Sequence, residues 1–570
     1  TRSGRVTGVQ TCALPISLKS QLNSFLNCDL KSLYPLARSM KRELYFFVGP
    51  TNSGKTYQAM NELKKANTGV YLAPLRLLAL ENYENLQSYG IEASLVTGEE
   101  QIFDEDAAHL CSTIEMLDFN MDTDVCVIDE VQMLADEDRG WAWVNAILGA
   151  PAKKVIMTGS VNALDSIKKI ASYLDEELTV KKFQRKTPLD LLSQATPLKE
   201  IQKGTALIAF SRKDVLMYKS KLQKFHKVSI LYGNLSPEVR REEARRFREG
   251  ETDILVATDA IAMGLNLPIK TILFTTDTKF DGIETRFLKT TEIVQIAGRA
   301  GRYGFHEAGH IGAIKPSILK NIHEIYNQSI KTIKPPFKVK ASNTQLDQLS
   351  QLLKTHSLNK ILDFYAKNMY FSGPFRATNI SSMIETSKIV ESHHQYLTLE
   401  QKYILSQAPI NTRSPLILSG FKFYLSSISA RKEITYKLSI NINKPATTQL
   451  ELLKAEDEVK KISLYLWLSY KLPDIFTDEM KARDLRTKVN LYIEKSLKNN
   501  KALKRDDSHN RRRNSNNKYS KDDRSNSRRS RNSRNPHDFK DDRPKRSRSR
   551  KSRDEKSENK KHHSMRDKKY

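Results

Sequence analysis

Residues Gly49-Pro50-Thr51-Asn52-Ser53-Gly54-Lys55-Thr56 follow an apolar run, Leu44 to Val48, and precede apolar residues at helical spacing, Ala59, Met60, Leu63 and Ala66. A strand that ends in G-x-x-x-x-G-K-[ST] and turns into a helix is a phosphate-binding loop. Its glycines let the backbone wrap an anion, and successive N–H groups with the helix N-terminus supply positive potential. Lys55 then neutralises the β/γ oxygens of a nucleoside triphosphate, and the Thr56 hydroxyl is placed to ligate Mg²⁺. All eight residues are candidate ATP contacts.

Such a loop belongs to an α/β fold, and the surrounding pattern predicts one. Val70 to Ala73, Asp124 to Ile128 and Val155 to Met157 are further short apolar runs separated by helical periods. That alternation predicts a parallel sheet covered on both faces. It restarts near Thr205, with Ala206 to Phe210, Val228 to Leu231, Ile254 to Ala257 and Thr271 to Phe274 as strands. We therefore expect two tandem α/β lobes built on parallel sheets, at 42–185 and 186–335, after a short N-terminal segment at 18–41. A mainly helical region should fill 336–498 and a disordered basic tail 499–570. Residues 1–17 are set aside, because Val6 to Ile16 reads like a translated sequencing adapter; the chain shows no initiator Met ahead of them.

Asp129 and Glu130 close the Asp124 to Ile128 run, within D-E-V-Q. A carboxylate at that strand edge can hold Mg²⁺ while its neighbour orients or deprotonates the attacking water. These two residues alone would leave kinases, GTPases and transporters open. The second lobe narrows the choice with Gln295-Ile296-Ala297-Gly298-Arg299-Ala300-Gly301-Arg302, whose two arginines lie three apart, on one face if helical. Arg299 and Arg302 are arginine-finger candidates, and a finger supplied from a second domain makes hydrolysis depend on closure.

Charge points to the partner. The formal net charge is +28, and residues 501–570 hold 27 Lys/Arg against 11 Asp/Glu with only six apolar residues. A segment so poor in apolar surface cannot offset its ordering entropy, and its charge suits a salt-sensitive, sequence-tolerant RNA tether. No apolar stretch reaches the length of a spanning helix, so no membrane partner is expected. Four cysteines, Cys12, Cys28, Cys111 and Cys126, show neither C-x-x-C pairing nor metal spacing with His, which suggests buried, reduced thiols.

The three motifs together resemble superfamily 2 RNA helicases, and among them the mitochondrial degradosome helicase family with its bacterial relatives. The resemblance runs from about Arg42 to Pro473. Further stretches match that family's motifs in order: Ala73-Pro74-Leu75-Arg76, Thr97-Gly98-Glu99, Thr158-Gly159-Ser160, Ala209-Phe210-Ser211-Arg212, and Thr258-Asp259-Ala260 onward through Gly264 to Asn266. Leu464 to Tyr470 matches the C-terminal region and reads by itself as core packing.

The resemblance implies that the two lobes are tandem RecA-like domains with ATP between them, Gln295 at the catalytic site and Gly264 at the nucleotide. Gln132, Thr158, Ser160 and Asp259 would couple nucleotide to strand, and Pro74, Arg76, Thr97, Gly98, Ser211, Arg212 and Thr258 would contact RNA. It also implies 3′-to-5′ translocation, unwinding and partnership with a 3′-exoribonuclease. No upstream Gln motif for adenine is found, so other nucleotides are expected to serve. The rival readings are a DNA-directed helicase and a catalytically dead RNA-binding scaffold. Lys/Asn/Ile-rich usage points to a bacterial cytoplasm, with the mitochondrion as the alternative.

Overall fold

An apolar run buried along its whole length must sit inside a sheet covered on both faces, and the five residues Gly69–Ala73 do so. The computed structural model describes residues 26–498 apart from Glu99, 263–265, 282–283, 394–396, Asn411 and Arg413. The adapter-like residues 1–17 and the tail 499–570 lie outside the described residues.

The first sheet has eight strands. Gly69–Ala73 lies between His109–Thr113 and Thr123–Ile128, and Ala152–Gly159, Glu43–Val48 and Leu178–Lys182 continue outward on one side. Ala93–Val96 continues it on the other, and all these pairings are parallel; only the two-residue strand Gln101–Ile102 runs antiparallel. His109–Thr113 escapes an apolar-run reading because polar side chains interrupt it, yet His109 is buried and its Nε2 bonds the Leu63 carbonyl at 3.0 Å.

The second sheet has six strands, all parallel, ordered Leu189–Leu191, Gly309–Ala313, Thr271–Phe274, Thr205–Ile208, Ile254–Ala257 and Val228–Leu231. The expected pair of parallel-sheet RecA-like lobes is thus present.

The region after residue 336 is mainly helical, as expected, but it is no free-standing third body. Phe337, Val339 and Phe375 are buried in the core of the first lobe. Phe421, Leu452, Val459, Ile462 and Leu466 share one core with Leu207, Ile230 and Val256 of the second lobe. Helix Gln449–Lys471 makes this possible, because Leu452, Ala455, Val459, Ile462 and Leu466 recur at three- and four-residue intervals along one face. The aromatic stretch Leu464 to Tyr470 lies at its end, with Leu464, Tyr465, Leu466 and Leu468 buried as the packing reading expects.

Candidate nucleotide-hydrolysis site

The strand Glu43–Val48 delivers the chain to Gly49, whose N–H donates to the Gly159 carbonyl at 3.0 Å. Asn52 and Gly54 take positive φ, 63° and 84°, which curls the loop before helix Lys55–Lys64 begins. The Lys55 ammonium is buried and points back into the loop, 3.3 Å from the Pro50 carbonyl. The Ser53 hydroxyl is buried without a hydrogen-bond partner among the described residues. A buried donor is costly unless it meets an acceptor, so Ser53 and Lys55 fit a phosphate.

Asp129 lies at the end of Thr123–Ile128 and is 3% exposed. Thr56 Oγ1 donates to its Oδ1 at 3.2 Å, Tyr71 Oη to its Oδ2 at 2.8 Å, and Thr158 Oγ1 also donates to Oδ1. Burial raises its pKa, the adjacent Glu130 raises it further, and the Thr158 bond and Lys55 oppose them. A hydroxyl and a carboxylate converging beside a phosphate loop form a hard-oxygen donor set, which suits Mg²⁺ held by one or two protein ligands plus phosphate oxygens. Thr56 and Asp129 therefore fit the ion.

Glu130 takes a left-handed φ of 54°. Gln132 Nε2 donates to Glu130 Oε2, and Gln132 Oε1 accepts from the Ser160 N–H at 3.1 Å. Glu130, Gln132 and Ser160 are thus one hydrogen-bonded chain running from the water-orienting position to the end of strand Ala152–Gly159, and Thr158 joins it through Asp129.

The second lobe meets this site directly. Asn52 Nδ2 donates to the Gly298 carbonyl at 2.9 Å. Arg185, between the two sheets, donates from Nη1 to Thr51 O at 3.1 Å and Gly298 O at 2.8 Å, and from Nη2 to Ala300 O. A Cβ on Gly298 would lie 2.8 Å from that of Thr51, so only glycine allows this approach.

Arg299 is anchored through Nε to the Ala262 carbonyl at 3.0 Å. Burial lowers its pKa, and the charges of Glu130, Asp129 and then Glu81 oppose that shift. Arg302 is likewise lowered by burial and supported chiefly by Glu81. Gln295 is half-buried on helix Thr290–Ala297.

Several expectations need correction. Arg299 and Arg302 do not share a helix face, because the helix ends at Ala297. Gly301 then turns with φ +64° and packs on the Gly309 backbone, where a Cβ would come within 2.4 Å of the Gly309 nitrogen. Arg212 is not a free strand contact: its guanidinium is paired with the fully buried Glu456 at 2.9 Å, and Glu456 also accepts from Tyr232 Oη at 2.7 Å. Asp259, a coupling candidate, is ion-paired with Lys279 of the same lobe at 2.9 Å. Gly264 lies outside the described residues.

The remaining strand candidates are distributed as follows. Ser211 caps helix Arg212–Leu222 by accepting from Asp214 N–H at 3.0 Å. Thr97 closes a turn with Glu100, and Thr258 accepts from Ala260 N–H at 3.2 Å. These hydroxyls are engaged in local structure. The Pro74 carbonyl accepts from Arg139 at 2.7 Å, and Gly98 faces Trp467, whose Cδ1 lies 3.9 Å from where a Cβ would be. Arg76 opens helix Arg76–Ser88 and lines a cavity of about 520 Å³ between the lobes.

Tyr71, Trp143 and Arg185 were not found from sequence. Trp143 Nε1 donates to the Asp129 carbonyl at 2.9 Å. A tyrosine inside an otherwise apolar strand was the available signal for Tyr71, because a buried hydroxyl needs a partner. Arg185 sits in no motif, and its bonds to Thr51 of the first lobe and to Gly298 and Ala300 of the second arise only in the fold.

Residues 31–183 match the DEXQ-box helicase domain of Suv3, residues 187–304 the helicase conserved C-terminal domain, and residues 452–499 the C-terminal domain of the ATP-dependent RNA helicase SUV3. The chain is 34% identical over 479 residues to the mitochondrial DExH-box ATP-dependent RNA helicase DExH16 of Arabidopsis thaliana, which covers 82% of this chain and 83% of that protein. The chain belongs to the Suv3 family of ATP-dependent RNA helicases.

As a Suv3-family member it is an ATP-hydrolysing helicase that binds nucleic acid. It is also 34% identical over 477 residues to the SUV3 homolog of Caenorhabditis elegans and 33% identical over 489 residues to SUV3 of Saccharomyces cerevisiae. It spans 65% and 66% of the lengths of these two proteins. The expected bacterial cytoplasm is overturned, because these Suv3-family relatives are all mitochondrial proteins. Among the described residues, no helix is long and apolar enough to cross a membrane.

Proposed function

We propose that this Suv3-family chain hydrolyses ATP at the seam between its lobes and uses the resulting closure and opening to move 3′ to 5′ along RNA and unwind it. The observation that carries this reading is the phosphate loop hydrogen-bonded to Gly298 of the second lobe, through Asn52 directly and through Arg185, immediately before Arg299.

In this mechanism Lys55 and the loop amides hold the β/γ-phosphates, and Ser53 donates to a phosphate oxygen. Thr56 and Asp129 would hold Mg²⁺, which would supply positive charge to offset that of the phosphates. Tyr71 and Thr158 keep the Asp129 carboxylate oriented. Glu130, steered by Gln132, aligns the attacking water. Arg299 and Arg302 bring positive charge to the γ-phosphoryl group only while the lobes are together, so Gln132, Ser160 and the seam relay its state to the strand path beside Arg76 and Gly98.

The family resemblance supports a role in RNA turnover with a 3′-exoribonuclease, and the relatives support a mitochondrial site of action. The tail 499–570 adds a sequence-tolerant RNA tether through its excess of Lys and Arg. Lys55→Ala tests the assignment by RNA-stimulated ATP hydrolysis. We expect a loss of at least about 100-fold, the scale on which one preorganised charge acts in such sites. Full hydrolysis in that variant would reject the nucleotide site.

A further inference from the structure

Residues 183–188 carry the chain from strand Leu178–Lys182 of the first sheet to strand Leu189–Leu191 of the second. This linker is bound along the seam at both ends. The Phe183 N–H donates to the Val48 carbonyl at 2.8 Å, directly before the phosphate loop. The Pro188 carbonyl accepts from the Gly309 N–H at 3.0 Å, and Gly309 is the residue on which Gly301 packs. The linker therefore runs from the phosphate loop to the Q-I-A-G-R-A-G-R segment.

Arg185 lies midway along it and is half-buried. Its Nε donates to the Thr187 carbonyl at 2.7 Å, which fixes the side chain on its own backbone. Nη1 then joins the lobes, donating to Thr51 O at 3.1 Å and to Gly298 O at 2.8 Å. Nη2 donates to Ala300 O and, at 3.4 Å, to Gly301 O. Gly298, Ala300 and Gly301 bracket Arg299, and Thr51 belongs to the loop that fits phosphate. A planar guanidinium with donors in a rigid fork can meet such spread acceptors at once, which a single ammonium cannot. Arg299 is meanwhile anchored through its own Nε to the Ala262 carbonyl at 3.0 Å. Its side chain is thus held from within the second lobe, while the backbone on both sides of it is held by Arg185.

We propose that Arg185 is a positioning residue for ATP hydrolysis: it fixes the backbone flanking Arg299 against Thr51, so that the finger is placed by the same loop that binds the nucleotide. This rests on the reading of Arg299 as a finger. Arg185 touches neither nucleotide nor RNA in this scheme and acts through the backbone around Arg299.

The test uses the full chain with Arg185→Ala, which removes the fork, and Arg185→Lys, which keeps the charge as a single point. RNA-stimulated ATP hydrolysis, KM for ATP, RNA affinity and the melting temperature are measured for each, beside Arg299→Ala and the double variant Arg185→Ala with Arg299→Ala. For Arg185→Ala we expect kcat to fall by about 100-fold, the scale of a misplacement of about 1 Å. KM for ATP and RNA affinity should stay near the parental values, the pattern of an interaction realised only in the transition state. A residue that merely braced the fold would lower the melting temperature and leave kcat of the folded protein alone. Arg185→Lys should lie between the parent and Arg185→Ala.

The double variant should fall no further than Arg299→Ala, because residues acting through one another are not additive. Parental kcat in either Arg185 variant, a rise in KM without a fall in kcat, or additive losses in the double variant would overturn the inference. Should Arg185→Ala fail to fold, Arg185→Lys carries the test on the same readouts. If Arg299→Ala abolishes hydrolysis while Arg185→Ala keeps the parental kcat, the hydrolysis site stands and Arg185 alone is refuted. If Arg299→Ala hydrolyses ATP at the parental rate, both readings fall.

Discussion

Asp129 shows how a single buried carboxylate organises the site. Its two oxygens receive three hydroxyls, from Thr56, Tyr71 and Thr158, so its orientation is fixed before any ion arrives. Arg299 is set by the same logic from the other side, held by the Ala262 carbonyl, with Glu130 and Asp129 supporting its charge. Arg299→Ala should lower kcat for ATP hydrolysis by about 10³ while leaving RNA affinity intact, since fingers act on transition-state charge; a fall of less than tenfold would contradict that role. A different residue reports on stability. Burial pushes the Lys219 ammonium down to about 8 from an ordinary 10.5, and its Nζ donates to the Leu497 carbonyl at 2.8 Å. Between those pH values the unfolded chain carries a proton that the folded chain lacks, so stability rises with pH. The penalty is fully present below pH 8 and fades toward 10.5. Lys219→Met removes it, so the variant's unfolding free energy relative to the parent should fall by about 3 kcal/mol across that window, whatever constant offset the lost bond adds. Denaturant titrations at both ends would show it, and a flat difference would contradict it. Lys55, Thr56, Asp129 and Glu130 were legible in the sequence because phosphate and Mg²⁺ chemistry ties residue type to short spacing. Tyr71 and Arg185 were not, because their partners lie 58 and up to 134 positions away.

The helix Gln449–Lys471 decides how the second lobe is braced. Its Glu456 is fully buried and receives the Arg212 guanidinium and the Tyr232 hydroxyl, both from the second lobe. Removing one partner of a buried pair leaves an uncompensated charge, at a cost of about 3–5 kcal/mol. Arg212→Met should therefore lower unfolding free energy by that amount, and adding Glu456→Met should restore most of it. RNA affinity measured below the melting transition should be unchanged in the double variant; a selective loss of RNA binding without destabilisation would return Arg212 to the strand path. The sequence placed Arg212 in a motif but could not show that a carboxylate 244 positions later would claim it. The strand Val228–Leu231 was readable to the residue because Val228, Ile230 and Leu231 are apolar and only the small Ser229 interrupts them. His109–Thr113 was hidden because burial there is shared with His109, Ser112 and Thr113, whose polar atoms are accommodated by the fold.

Across the whole molecule, the C-terminal region joins the cores of both lobes. Phe337, Val339 and Phe375 enter one, and the face of helix Gln449–Lys471 enters the other. Periodicity predicted the helices but not this division, since a hydrophobic stripe shows that a face is buried and not against what. The arrangement places Trp467, on a helix bound to the second lobe, beside Gly98 of the first. The central claim is that ATP turnover at the seam drives strand separation. It is tested most directly by unwinding RNA duplexes that carry a 3′ or a 5′ single-stranded overhang, using the parent chain and Arg299→Ala. We predict ATP-dependent unwinding of the 3′-overhang duplex by the parent, none of the 5′-overhang duplex, and none of either by Arg299→Ala. Unwinding by Arg299→Ala at the parental rate, or by the parent without ATP, would contradict the claim.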